Sequence, residues 1–266
     1  MKLASWNVNS LSVRLPQVLQ WLEDARPDLL ALQETKLEDA RFPAAEFVAA
    51  GYHAVYSGQK TYNGVALLAR TPPQQVLREL PGLDDPQRRF LAADIDDLRV
   101  VNLYVVNGQA VDSDKYTYKL RWLGAVRAFL EAELARHPAL VVLGDFNIAP
   151  DDRDVHDPLA WRDQILCSAP ERAALQGLLD LGLEDSFRAL HADPGHYSWW
   201  DYRQGGFRRN LGLRIDHVLL SPALRERCRS CRIDQAPRRL ERPSDHAPVI
   251  VELTLDAPPS AQARIR

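Results

Sequence analysis

Apolar and polar positions change period several times along the chain, and each change marks an element. Lys2–Val8 alternates and predicts a first strand, with Trp6 and Asn7 at its end. Leu15, Val18, Leu19 and Leu22 have helical spacing, predicting a helix over 14–25 that Pro27 closes. Leu29–Gln33 reads as a buried strand ending in Glu34, and 42–50 as a short helix stopped by Gly51. Strand-like segments follow at 52–57, 64–69, 91–96 and 98–106, separated by turn clusters. A long helix is predicted over 117–136, with Pro138 ahead of a strand at 140–144. A helical stretch at 169–181 precedes strands near 196–200, 214–220 and 247–255. The tail 257–266, rich in Pro, Ala and Arg, is expected to be disordered.

Strands alternate with helices, without a Gly-x-Gly-x-x-Gly turn, a P-loop or a composition break that would mark a linker. The pattern predicts one α/β domain over 1–256 with more strands than a single sheet holds comfortably. Two mixed β-sheets packed face to face, with helices outside, make a four-layer sandwich that accommodates them.

The stretch LVVLGDFNIAP (140–150) is the most informative. Its apolar, β-branched start has no polar face, as suits a strand buried on both sides. Gly144 permits a tight turn, and alternation puts Asp145 and Asn147 on one face with Phe146 on the other. A carboxylate and a carboxamide leaving the carboxyl end of a buried strand are a common start for an α/β site, although an Asx turn closing a strand would look the same.

Four other segments repeat that signature: Asn7 and Asn9, Glu34, Asp216 inside LRIDHVLL, and Asp245-His246 ahead of the last strand. Tyr104 and Asn107 carry groups that can join them. All the donors but one imidazole are oxygen or amide groups, so Mg²⁺, with Mn²⁺ as a substitute, suits them better than zinc. Asp216 in an apolar run needs a partner, because an unpaired buried carboxylate costs several kcal/mol. His246 can supply it, the aspartate fixing the imidazole tautomer beside an anionic substrate. Such parts suit phosphodiester hydrolysis.

Composition narrows the setting. The 266 residues are 46% hydrophobic and 26% charged, which is ordinary for a globular chain. No apolar run approaches the roughly 20 residues that span a bilayer. The start turns polar by Asn7, too early for a signal-peptide core, and three cysteines make no disulfide framework. A cytoplasmic, nucleoid-associated monomer is the expectation. Cys228 and Cys231 have redox spacing but no second pair, and read as incidental thiols. The net charge of −3 excludes a blanket of basic surface, not a local one. Arg203, Arg208, Arg209 and Arg214 flank one glycine-containing loop and suit phosphate-backbone contacts, as Lys115, Lys119 and Arg121 do on another side.

The stretches WNVNS (6–10), LQETK (32–36), GQKTYNGVALL (58–68), GDFNIAP (144–150), YSWWDYR (197–203), LRIDHVLL (213–220) and PSDHAPV (243–249) together resemble the bacterial exonuclease III family. That family belongs to the endonuclease/exonuclease/phosphatase superfamily, with the DNase I-like fold. The motifs run in order from Trp6 to Val249. The resemblance implies a Mg²⁺-dependent DNA phosphodiesterase of base excision repair. Such an enzyme cuts 5′ of abasic sites and acts as a 3′–5′ exonuclease on duplex DNA, leaving a 3′-hydroxyl and a 5′-phosphate. By resemblance Glu34 is the principal metal ligand, with Asn7 and, more loosely, Asn9 and Asp245. Asp145 orients or deprotonates the attacking water, Asn147 holds water or phosphate, and His246 with Asp216 contacts the scissile phosphate. Tyr104 and Asn107 match phosphate contacts, Arg203 ends the motif of the substrate loop, and Trp199 and Leu213 match a pocket for a flipped, baseless sugar. Val106 departs from the proline common in relatives, which bears on the loop carrying Asn107. Two rivals stay open: a superfamily phosphodiesterase or phosphatase for a non-DNA substrate, and a non-catalytic nucleic-acid-binding regulator. The intact set Glu34, Asp145, Asn147, Asp216 and His246 argues against the second.

Overall fold

The computed structural model describes residues 1–254, so the tail expectation at 257–266 lies outside the described residues. Twelve of the strands build two six-stranded sheets. The first contains β1 (Lys2–Asn7), β2 (Leu29–Gln33), β3 (His53–Ser57), β4 (Val65–Ala69), β13 (Cys228–Ile233) and β14 (Val249–Leu253), in the order β13-β14-β1-β2-β4-β3. The second contains β5 (Gln74–Leu77), β6 (Phe90–Ile95), β7 (Leu98–Tyr104), β8 (Leu140–Asp145), β9 (Glu184–Asp185) and β12 (Asp216–Leu220), in the order β5-β6-β7-β8-β12-β9. Both sheets are mixed. β1 pairs parallel with β2, and β7 with β8, while the other pairings are antiparallel.

Period-two alternation explains the layers. Leu3, Leu29, Ala31, Val65 and Leu67 face Leu91, Val100, Val141, Leu143 and Val218 in one core between the sheets. The alternate residues Ala4, Trp6, Leu30 and Leu32 pack with α1 (Leu11–Ala25) and α2 (Ala44–Ala49). On the other side Val101, Leu140, Val142 and Leu219 pack with α3 (Asp114–Arg136) and α4 (Ala169–Leu179). The four-layer DNase I-like sandwich is therefore present, and the run 140–143 is buried on both faces.

Several boundaries differ from the sequence expectations for tertiary reasons. Helix α1 starts at Leu11, because the N–H groups of Ser10 and Leu11 bond to the carbonyls of Glu34 and Thr35 at 2.8 and 3.0 Å. Strand β13 reads CRSCRI, where no apolar alternation is visible, and it sits at a sheet edge. The strand expected near 196–200 shrinks to β10 (Trp199–Trp200), paired with β11 (Gly212–Leu213) in a separate ribbon.

Candidate active site

Register, more than proximity in sequence, assembles the site. Tyr104, Asp145 and Asp216 lie side by side on β7, β8 and β12, since Asp145 is the register partner of both others. From the first sheet, Asn7 ends β1 and Glu34 follows β2. A Cβ at Gly144 would come within 1.9 Å of the Leu103 carbonyl oxygen, so only glycine lets β8 approach β7 this closely before Asp145.

The amide nitrogen of Asn7 donates to Glu34 Oε1 at 2.9 Å and to Asp145 Oδ2 at 2.8 Å, bridging the sheets. Asn147 takes a left-handed backbone, φ 50°, and its N–H donates to Asp145 Oδ1 at 2.9 Å. Its side-chain amide donates to Val105 O, while its Oδ1 accepts from Asn107 Nδ2 at 3.1 Å. His246 Nδ1 lies 2.9 Å from Asp216 Oδ2, and Nε2 lies 3.8 Å from Asp145 Oδ2. Ser198, which the sequence reading passed over, donates from Oγ to Asp216 Oδ2 at 2.7 Å and accepts from the Asp216 N–H. Among the described residues, the other Asp216 oxygen is buried without a hydrogen-bond partner.

Burial and charge set the protonation states. Burial disfavours a charged imidazole, but Asp216 and then Asp145 outweigh it and raise His246 to about 10. His246 is thus an imidazolium at neutral pH. Burial pushes the Asp145 carboxyl up to about 7; His246 opposes that rise and Asp216 reinforces it. Burial, then the charge of Glu34, pushes the Tyr104 phenol well above its ordinary range, although Arg89 opposes this from 4.5 Å over the ring.

Ligand atoms of Glu34, Asp145 and His246 lie within 4.8 Å of one another. Two carboxylates so close, Glu34 half-buried and Asp145 buried, suit a hard divalent cation that offsets their mutual repulsion. His246 Nδ1 is engaged by Asp216, which leaves Nε2 facing Asp145 beside the cation site. Asp245, expected as a looser ligand, has both oxygens engaged. Trp199 Nε1 donates to Oδ2 and Asn9 Nδ2 to Oδ1, each at 2.9 Å. Asn9 also accepts from Lys36 Nζ at 2.6 Å, and Lys36 pairs with Glu34 at 2.8 Å.

Other expectations separate by exposure. Trp199 is half-buried and lines a cleft of about 260 Å³ with His156, Trp161 and Arg203, whose side chain is 89% exposed. Leu213 is fully buried behind Trp199 as its register partner, so it supports this wall rather than lining it. Trp200 is fully buried. Arg214 is no phosphate contact. It is buried, with Nε 2.6 Å from Asp154 and Nη2 2.7 Å from Asp185. Lys119 is likewise buried, in an ion pair with Glu171 at 2.5 Å. A groove of about 800 Å³ beside Asn107 is lined by Gln59, Tyr62, Gln87, Arg89 and Lys115. The sequence signal for it was weak, since Arg89 and Lys115 stand in different polar stretches joined only by the fold. Burial raises the thiols of Cys228 and Cys231, the latter to about 12, which keeps Cys231 protonated near neutrality.

Fold and site together define a hydrolase of the DNase I-like class. The pattern of the Endonuclease/Exonuclease/phosphatase family matches residues 4–246, and the chain belongs to that family. It is 38% identical over 265 residues to exodeoxyribonuclease III of Haemophilus influenzae, covering 95% of this chain and 99% of that one. A variant of the 3′ phosphatase NExo from Neisseria, bound to a product DNA hairpin, superposes with a TM-score of 0.94 at 54% identity, covering 96% of this chain and 99% of that one. An AP endonuclease from Archaeoglobus fulgidus superposes with a TM-score of 0.92 at 39% identity, covering 95% and 99%.

Proposed function

We propose that this chain is a Mg²⁺-dependent DNA phosphodiesterase that cuts 5′ of abasic sites and trims nucleotides or blocking groups from 3′ ends of duplex DNA, as a cytoplasmic monomer. The observation that carries the reading is the placement of His246 between Asp216 and Asp145. Asp216 holds it on one side, and its Nε2 stands opposite Asp145 over an acidic cluster. That arrangement gives a fixed cation for a phosphate oxygen and a carboxylate for water in one cleft. The named activities of the relatives on both sides, nuclease and 3′ phosphatase, need the same parts.

Glu34, with Asn7 beside it, would hold the cation, which when bound neutralises charge on the phosphate. Asp145, poised near neutrality, accepts the proton of the attacking water. Tyr104 does not compete for that role, because its phenol keeps its proton and can donate to the phosphate instead. Asn107 presents its amide along the same edge, braced by Asn147 Oδ1. Trp199, Trp161 and His156 bound a cleft of a size to take a sugar without its base, the unit that flips most easily. Arg89 and Lys115 offer positive charge to the flanking strand.

The test uses two labelled duplexes, one with a single abasic-site analogue and one intact with a recessed 3′ end, each with magnesium and with chelator. One magnesium-dependent cut at the abasic site and a ladder from the 3′ end are expected. Hydrolysis of a small phosphodiester with neither duplex touched would transfer the chain to a non-DNA substrate.

A further inference from the structure

The buried ion pair Lys119–Glu171 has no part in the chemistry above, yet it touches both loops that carry the site's amides. Lys119 projects from the second turn of α3 and is fully buried. Its Nζ donates to three acceptors: the Asn147 carbonyl at 2.7 Å, the Asn107 carbonyl at 3.2 Å and Glu171 Oε1 at 2.5 Å. All three ammonium protons therefore have acceptors. Glu171 in turn accepts from the N–H of Leu166 and of Ser168, each at 3.1 Å, and from Ser168 Oγ at 2.6 Å. It thus anchors the ammonium to the start of α4.

We infer that Lys119 is a positioning residue that clamps the backbones of Asn107 and Asn147 so that the exposed Asn107 amide, bonded to Asn147, is held in one fixed direction toward the substrate phosphate. This inference rests on the phosphodiesterase reading of the site. Three features argue for it. Asn147 adopts a left-handed conformation, which a non-glycine residue keeps only when its surroundings over-determine it. The bond from Lys119 holds its carbonyl in that conformation. Asn107 is exposed, and its side chain reaches Asn147 Oδ1 at 3.1 Å, so its aim depends on where its backbone is held. A buried ion pair also adds little stability over an apolar pair of similar volume, so packing alone does not call for one here.

The test compares wild type with Lys119→Met/Glu171→Gln, which removes both charges together, and with Lys119→Arg, which keeps a cationic donor. Melting temperature, kcat and KM on the recessed duplex, and the side-chain amide NMR resonances of Asn107 and Asn147 are measured. The double variant should melt near wild type and lose about 10–100-fold in kcat, with KM changed less than about threefold and both amide resonances shifted. Lys119→Arg should recover most of the loss. A folded double variant with wild-type kcat and unshifted amides overturns the clamp. A wild-type enzyme that cuts no DNA overturns the functional reading instead, and the amide resonances then judge the clamp by themselves.

Discussion

Each sheet brings one parallel strand pair, joined by a crossover helix, to the same edge of the molecule. β1 and β2 lead to Asn7 and Glu34 there, and β7 and β8 to Tyr104 and Asp145. Behind those ends the two halves are built differently. The first sheet rests on an apolar layer of Trp6, Trp21 and Phe47 beneath α1 and α2. The second carries buried cations, each matched by carboxylates: Arg99 with Glu133 and Asp94, Lys119 with Glu171, and Arg214 with Asp154 and Asp185. The first half places Glu34, Asn7 and, just ahead of β14, His246 at the site. The second must hold three polar strand ends, two amide loops and the Trp199 ribbon in mutual register, and directional ion pairs supply what non-directional apolar packing does not.

The comparison breaks most visibly at the chemistry. Asp145→Asn or His246→Ala should lower turnover at least about a hundredfold, while gel-shift binding of the duplex persists. Near-normal turnover in a folded variant would remove these residues from their roles. Glu34→Gln should act through the cation, raising the magnesium concentration for half-maximal rate by at least about tenfold. If excess magnesium restores none of the rate, the division between the halves is wrong. Arg214→Met leaves Asp154 and Asp185 buried with less compensation, and denaturant unfolding should show a loss of about 3–5 kcal/mol.

Acid should sharpen the same contrast. Burial alone would raise the Asp185 carboxyl, but Arg214 and then His217 outweigh it and hold the group below its ordinary range. Its stabilisation is therefore complete above the ordinary carboxylate pKa of about 3.9 and is lost as pH falls through the lowered value. Melting temperature should drop as pH falls below about 4, and less steeply in Arg214→Met. An identical slope in both would show that Asp185 draws nothing from Arg214. The smallest effect is expected between the sheets, where Gln33 Nε2 donates to Ser5 Oγ at 3.0 Å and to Asn102 Oδ1 at 2.8 Å. Asn102→Val should cost about 1–3 kcal/mol in unfolding experiments, by leaving the Gln33 amide short of an acceptor.

Much of the fold was legible in the chain because burial imposes a period. The run 140–143 could only be a doubly covered strand, and Asp216 inside LRIDHVLL demanded a partner of opposite charge, which His246 supplies. Edge elements were not legible. β13 shows only Cys, Arg, Ser and Ile, because it is an edge strand paired with β14 alone and mostly half-exposed. Basic residues were misjudged for a related reason. Arg203 and Arg214 look alike in one loop region, yet the first is exposed and the second is buried between two aspartates that lie 60 and 29 positions away in the chain.

The sequence by itself determined which groups could do chemistry and which segments must be covered, because residue type and period are local properties. Only the tertiary structure decided which groups meet. Strand register sets Asp145 between Tyr104 and Asp216. A ribbon outside both sheets delivers Ser198 to Asp216. A lysine that reads as surface charge becomes the tie between two loops, because its partners Asn147 and Glu171 arrive from segments 28 and 52 residues distant. Such pairings depend on how loops close and sheets stack, and no local pattern records that.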